Sequence, residues 1–363
     1  MRMIHCADLH LDSPMTSYLD REKANERRQE LLNAFIKMVE FASENKVEVI
    51  MIAGDMFDTK DVLKTTKNTV IYEIEKHPEI RFYYLKGNHD GDNFIDELLN
   101  IPDNLFMFDN KWKYYEEGEN IRIYGVEPDG AGYDIYSEFT ADRDKINIVM
   151  LHGQESLTGN SSEPYSINLR GLENRGIDYL ALGHIHTYKE KALDGRGRYA
   201  YPGCLCGRGF DECGPHGFIC MNIDEKKHRV ESKFLAVDSR NLYRVTVDVS
   251  DCMKTIEMID RASDKLREYP ETSLIEIVLT GSIDVECEKN TEYIRKHFES
   301  GFYFVKVTDK TTLIVDVDKY MMDISLRGEF VRQVRQRNDI NEEDKNIIIR
   351  YGLQILDGDK EVE

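Results

Sequence analysis

Seven side chains able to ligate metal recur in short signatures between positions 8 and 186 of the chain: Asp8, His10, Asp55, Asn88, His152, His184 and His186. The signatures are Asp8-Leu9-His10, Gly54-Asp55-Met56-Phe57-Asp58, Gly87-Asn88-His89-Asp90, His152-Gly153 and Gly183-His184-Ile185-His186. Carboxylate, imidazole and amide oxygen, with no thiolate among them, suit hard-to-borderline ions such as manganese, iron or zinc. Asp8 and His10, two apart on an extended segment, can reach one ion. Asp55 has two oxygens and can bridge two ions, while His184 and His186 can each serve a different one. With His152 and Asn88 added, each ion gains about four protein ligands and keeps positions for water and substrate. Two divalent ions ~3.5–4 Å apart can hold an attacking hydroxide and stabilise pentavalent phosphorus in an in-line displacement.

His89, directly after Asn88, reads as the group that protonates a leaving alkoxide or stabilises its charge, with Asp90 fixing its tautomer and orientation. Asp58 lies about one turn beyond Asp55 and is placed to orient a neighbouring ligand. Glycines 54, 87, 153 and 183 fit tight turns where a side chain would crowd the metals. Any one signature alone carries little, since a lone His-x-His is usually surface composition and a lone Gly-Asn-His-Asp is often a turn. His5, His77, His216 and His228 have no motif around them and read as packing or solvent residues. Five signatures in one order support one another.

Each signature follows an apolar run that reads as a strand, so each falls at a strand's C-terminal end, where ligands far apart in sequence meet in space. The pattern predicts strands at 3–6, 47–53, 80–85, 146–151 and 179–182, with helices at 22–45 and 62–77. Short strands are predicted at 105–108, 113–115, 121–126, 199–201, 217–222 and 229–234. The fold class is α/β, a sandwich of two sheets with helices outside. Near Asp238–Asn241 the character changes to a β-α-β-α-β run that reads as a ferredoxin-like or split βαβ unit. The stretch from Met321 to Glu363 reads as helical, with a capped start at Asn341. The expected division is 1–238, 241–318 and a tail, 319–363.

Hydrophobic residues at 41% and charged residues at 32% fit a globular protein, and 363 residues suffice for a large and a smaller domain. No apolar run approaches the ~18–20 residues of a membrane span. The start runs straight into a strand without a signal-peptide pattern, so a cytoplasmic protein with no membrane association is expected. Seven cysteines are an odd number, and no CxxC pair occurs, which favours free thiols in a reducing compartment over a zinc ribbon. The balance of 68 acidic against 48 basic residues gives a charge of -20, awkward for binding a phosphate backbone. Lys189, Lys191, Arg196, Arg198 and Arg208 form a local basic cluster that is either a phosphate-binding rim or an ordinary solvated hairpin.

In this order the residues resemble the calcineurin-like metallophosphoesterase superfamily. Ala7-Asp8-Leu9-His10-Leu11-Asp12-Ser13-Pro14 is similar to SbcD-type DNA repair nucleases, in particular the YhaO-like branch. The same holds for Asp178 to His186, Tyr201-Pro202-Gly203, Gly207 to Glu212 and Asp323 to Arg332. The resemblance implies a metallophosphoesterase β-sandwich flanked by helices, with a small α+β capping domain and a helical tail. It implies a phosphodiesterase with two divalent ions, manganese before iron or zinc, acting on DNA as 3'-5' exonuclease and single-strand endonuclease in repair. It further implies a homodimer and an SMC-like coiled-coil ATPase as partner. Carried over by residue, one metal takes Asp8, His10, Asp55 and His186, and the other Asp55, Asn88, His152 and His184. His89 is then catalytic, and Lys189 and Arg208 are candidate DNA contacts. Some relatives have histidine at Asp58, and Cys204 replaces the usual Ser or Asn. Two other readings keep the same residues: hydrolysis of a small phosphodiester or cyclic nucleotide, and a mainly structural subunit of an ATPase assembly.

Overall fold

The computed structural model describes residues 1–15, 18–58, 62–91, 100–127, 139–156 and 165–356. The chain divides into two compact units, Met1–Asn241 and Leu242–Glu363. The strands of the first are β1 (Arg2–Cys6), β2 (Val49–Ala53), β3 (Arg81–Leu85), β4 (Leu105–Met107), β5 (Lys113–Glu117), β6 (Ile121–Gly125) and β7 (Ile146–His152). They continue with β8 (Gln154–Ser156), β9 (Ser166–Asn168), β10 (Tyr179–Gly183), β11 (Lys189–Ala192), β12 (Arg198–Tyr201), β13 (Gly217–Asp224) and β14 (Arg229–Ala236). Its helices are α1 (Arg21–Glu44), α2 (Lys64–Lys76) and the single turn α3 (Leu169–Leu172).

These strands form two six-stranded sheets, β14-β13-β1-β2-β3-β4 and β11-β12-β10-β7-β6-β5, beside a short β8–β9 pair. In the first sheet β1 to β4 run parallel, and in the second β6, β7, β10 and β12 do. Strand parity decides what each face buries. Ile146, Ile148 and Met150 of β7 share a core with Met3, Val49, Met51 and Tyr83 of the other sheet. Val149 and Leu151, out of step, pack instead with Leu169, Leu172 and Ile177. Burial on both faces explains why β2 and β7 are apolar without alternation. Helix α1 is capped by the Asp20 carboxylate, which accepts from the Lys23 amide at 2.9 Å, and it buries Leu31, Phe35, Met38 and Ala42. Its Phe41 meets Phe218 of β13 at 5.4 Å. Phe218 is out of step with Ile219 and Met221, which face the shared core, so α1 covers the outside of the first sheet. The basic segment after the last histidines forms an antiparallel hairpin, β11 and β12, at the border of the second sheet.

The second unit contains β15 (Leu242–Asp248), α4 (Thr255–Leu266), β16 (Leu274–Thr280), β17 (Ser282–Asp284), α5 (Thr291–Glu299), β18 (Phe304–Asp309) and β19 (Thr312–Ile314). Three helices follow, α6 (Val317–Met321), α7 (Leu326–Gln336) and α8 (Glu342–Leu356). The β-α-β-α-β run is neither ferredoxin-like nor split. Its strands lie in the order β15-β16-β18 and all pair in parallel, because each crossover helix returns the chain to start the next strand beside the last. One face of this sheet joins α4 and α5 in a core that includes Val245, Val247, Ile277, Met258, Ile294 and Val305. The tail is helical, with Ser325 capping α7 and Asn341 accepting from the Asp344 amide at the start of α8, and the short α6 precedes them. Its Tyr320, Val331, Ile349 and Leu353 pack with Val285 and Val315 of the same unit, and its last residues, 357–363, lie outside the described ones. Among the described residues no helix is long and apolar enough to cross a membrane.

Candidate metal centre

The seven donors predicted from sequence lie at or just beyond the C-terminal ends of β1, β2, β3, β7 and β10, and the packing of the two sheets brings them together. Asp8, His10 and His186 offer atoms all within 4.8 Å of one another, as do Asp8, Asp55 and His152. His10 Nε2 lies 3.1 Å from His186 Nε2. On the other side Asn88 Oδ1 lies 2.9 Å from His152 Nε2 and 3.1 Å from His184 Nδ1. Asp55 sits between the two groups, its Oδ2 at 3.4 Å from His152 Nε2 and 3.9 Å from His10 Nε2.

This donor set fits divalent cations. The Nδ1 atoms of His10 and His186 are turned to the carboxylates of Asp58 and Glu212, at 3.1 and 2.6 Å. Protonation at Nδ1 leaves both Nε2 lone pairs aimed at one space, which repels the rings from each other and favours a cation between them. His152 is fixed the same way, its Nδ1 donating to the Ala53 carbonyl at 2.9 Å. Burial pushes the Asp8 carboxyl up to about 6, against the pull of His152 and His186. Burial would raise Asp55 too, but the hydrogen bond and charge of His152 hold it well below the usual carboxylate range. Burial also lowers His10 and His184 to about 4, keeping both imidazoles neutral and able to ligate.

The backbone is bent to achieve this. Asp8, His10, Asp55 and His184 have φ of 52°, 42°, 50° and 104°, a left-handed region that non-glycine residues rarely enter. Such residues cost roughly 1–3 kcal/mol each and persist where surrounding contacts enforce them. Here the Asp8 amide donates to the Gly54 carbonyl and the His10 amide to the Asp55 carbonyl, both at 3.0 Å. The His184 amide donates to the Asp8 carboxylate at 2.8 Å, tying the two sheets across the site. A Cβ at Gly54 would run into the His152 ring, and one at Gly87 into the Asp55 carboxylate.

Asp90 does not orient His89. Its carboxylate accepts from the amides of Gly87 at 2.9 Å, Phe57 at 3.0 Å and Met56 at 3.3 Å, stapling the loop after β3 to the loop after β2. Three backbone donors and the Tyr84 side chain converge on this carboxylate, which therefore ties the two loops together rather than orienting the neighbouring imidazole. The His89 ring instead has Nδ1 3.2 Å from the Asp58 carbonyl, and its backbone amide donates to Asp55 Oδ1 at 2.8 Å. His89 is exposed at the mouth of the site. Asp58 lies beside His10 and also accepts from Arg208 Nη1 at 2.8 Å. Arg208 and Lys189 are both engaged with carboxylates, Arg208 with Asp58 and Glu212 and Lys189 with Glu155. Arg196 and Arg198 pair with Asp178 and Glu190.

Residues without a ligand motif also support the centre. Glu212 carries His186, and the Cys204 thiol lies 3.6 Å from Glu212 Oε2 and 3.4 Å from His216 Nδ1. Glu212 ends the Gly207–Glu212 stretch that shares in the family resemblance, but nothing in that stretch ties it to His186, and His216 has no motif around it.

The family model for calcineurin-like phosphoesterases matches residues 1–188, the stretch that carries all seven donors. The chain belongs to the calcineurin-like phosphoesterase family. As a member it is a metal-binding hydrolase of phosphoesters. This phosphoesterase is 26% identical over 304 residues to the "uncharacterized metallophosphoesterase YhaO" of Bacillus subtilis, covering 78% of this chain and 72% of that one. It is 24% identical over 377 residues to the DNA double-strand break repair protein Mre11 of Saccharolobus solfataricus, covering 96% and 94%. The Mre11 protein of Sulfolobus acidocaldarius is 24% identical over 209 residues, covering 54% of this chain and 52% of its own.

Proposed function

We propose that the chain is a two-metal phosphodiesterase that cleaves DNA in repair, as a 3'-5' exonuclease and single-strand endonuclease, with manganese as the working ion. The hydrolytic part rests on the donor set. The DNA part rests on one observation: similarity to a protein named for double-strand break repair that runs through 96% of this chain, second unit included. Asp8, His10, Asp55 and His186 would hold one ion, and Asp55, Asn88, His152 and His184 the other. Bound divalent cations supply Lewis-acid polarisation of the phosphoryl group and make water acidic enough to attack at neutral pH. The protein's own part is geometric. Asp55 sets the separation of the two positions, and buried Asp8 and His152 keep the floor of the site rigid. His89, with Nδ1 against the Asp58 carbonyl, has Nε2 left to carry a proton to the leaving oxygen.

The partner set belongs to the same proposal: a homodimer working with an SMC-like coiled-coil ATPase in the cytoplasm. Met322, Ile324 and Leu326, 86%, 98% and 72% exposed, support an apolar partner for the helical tail, and seven free cysteines suit a reducing compartment. Lys189 and Arg208 would be the candidate DNA contacts. A second reading, hydrolysis of a small phosphodiester or cyclic nucleotide, is favoured by the charge of -20 and by the carboxylates that pair these cations.

One assay separates the readings. The purified protein with Mn²⁺ is given an end-labelled duplex, a single-stranded circle and bis-p-nitrophenyl phosphate. Cleavage of both DNAs is expected. Hydrolysis of the small ester with both DNAs intact would establish the second reading, and no hydrolysis with metal bound would point to a structural subunit.

A further inference from the structure

Glu212 lies outside the donor signatures and beyond the region matched by the family model, yet its side chain is only 5% exposed and directed at a ligand. Its Oε1 accepts from His186 Nδ1 at 2.6 Å and from Arg208 Nη2 at 2.9 Å. Its Oε2 accepts from the Arg208 backbone amide at 2.7 Å. Arg208 then reaches the other way, with Nη1 donating to Asp58 Oδ1 at 2.8 Å, and that same oxygen lies 3.1 Å from His10 Nδ1. His10 and His186 are the two rings whose Nε2 atoms face each other. These contacts therefore form a continuous string: ring, carboxylate, guanidinium, carboxylate, ring.

We propose that Asp58, Arg208 and Glu212 act as one positioning string, which holds both His10 and His186 protonated at Nδ1 so that both present Nε2 to a single cation. The proposal rests on the metal-dependent reading above. Its chemistry is simple. A neutral imidazole has one proton and one lone pair, and a carboxylate at Nδ1 decides which nitrogen keeps the proton. Arg208 makes the arrangement stable, because its one guanidinium neutralises both the buried Glu212 and the half-buried Asp58. A guanidinium offers donors in a rigid fork and serves both at once, Nη1 to Asp58 and Nη2 to Glu212. The string serves only one of the two positions. On the other side His152 is oriented by the Ala53 carbonyl, and Asn88 needs no tautomer.

The test is a calorimetric Mn²⁺ titration of the full chain, with metal counted after desalting. Glu212→Gln and Asp58→Asn are each expected to weaken one of two Mn²⁺ ions by ~10–100-fold and leave the other unchanged. Because both act through Arg208, the double variant should lose clearly less than the product of the two effects. Glu212→Gln binding two ions with wild-type affinity, even with a lowered unfolding temperature, would overturn the proposal and make the string structural. A readout that needs no variant is the long-range ¹H–¹⁵N spectrum of the metal-free wild type, where His10 and His186 should both carry the proton at Nδ1. Protonation of either ring at Nε2 would overturn the proposal even if no variant folds. A wild type that takes up fewer than two Mn²⁺ ions overturns the two-metal reading itself. Two bound ions with unaltered variants overturn the string alone.

Discussion

His89 and Asp90 are adjacent in the chain, and their surroundings assign them different work. The His89 ring stands at the mouth of the site with only a backbone carbonyl against Nδ1, so its removal should leave the donors in place. His89→Ala is expected to retain both Mn²⁺ ions by titration while turnover of bis-p-nitrophenyl phosphate falls by ~10²–10⁴-fold, the usual worth of a positioned proton donor. Loss of an ion in that variant would make His89 a ligand. Asp90→Ala is expected to behave in the opposite way. It leaves the amides of Met56, Phe57 and Gly87 without their acceptor, at a cost of roughly 3 kcal/mol, read as a lower urea midpoint. Since Asn88 lies on the loop it anchors, the same variant should also bind Mn²⁺ more weakly.

Among the elements, the parallel sheet of the second unit carries an ion cluster on the face turned away from α4 and α5. Glu276 on β16 accepts from Arg244 Nε on β15 at 2.6 Å and from Thr308 Oγ1 on β18 at 2.7 Å, and Lys306 Nζ lies 3.0 Å away. Burial would raise the Glu276 carboxyl, but Arg244, Thr308 and Lys306 bring it down to about 2. Its folded value thus lies below the ordinary 4.5 of an unfolded glutamate. The linkage is stabilising above pH 4.5 and is lost as pH falls from there toward 2. The unfolding temperature of this unit should therefore drop over that window in wild type and be flatter in Glu276→Gln. An equal slope in both proteins would show that the three strands do not depend on this carboxylate. The same sheet shows why a β-α-β-α-β pattern does not decide topology by itself. Hydrophobic periodicity sets element type, while strand order depends on which edge each crossover returns to.

For the whole molecule, the burden is charge. A chain with net charge -20 gathers Asp8, Asp55, Asp58 and Glu212 into one region, and Arg208 is the cation that bridges the last two. Divalent ions bound there should stabilise the folded state by mass action, about 2.7 kcal/mol at a hundred times the dissociation constant. Added Mn²⁺ is expected to raise the unfolding temperature of the first unit, and chelation to reverse the gain. No shift in a protein that still hydrolyses the small ester would mean that the ions bind too weakly to contribute. At this scale the paired state of Lys189, Arg196, Arg198 and Arg208 also matters, because a phosphate backbone must compete with carboxylates already in place.

The donors and their placement at strand ends were legible in the sequence. Residue type determines ligand chemistry, and an apolar run followed by glycine or a polar signature marks a strand's end. The sandwich was legible for the same reason, since buried parallel strands are continuously apolar. Tertiary structure decided everything that depends on approach from outside the local segment. The left-handed backbone at Asp8, His10, Asp55 and His184 arises because amides and carbonyls of one loop lock onto another. Adjacency ties Asp90 to His89, but its three backbone partners come from two loops, one of them more than thirty residues away. Glu212 stands in a stretch that the sequence does mark, Gly207–Glu212, but it meets His186 only through the fold. Spacing along a chain records local geometry, whereas hydrogen-bond partners are chosen by whichever groups the packed sheets leave within reach.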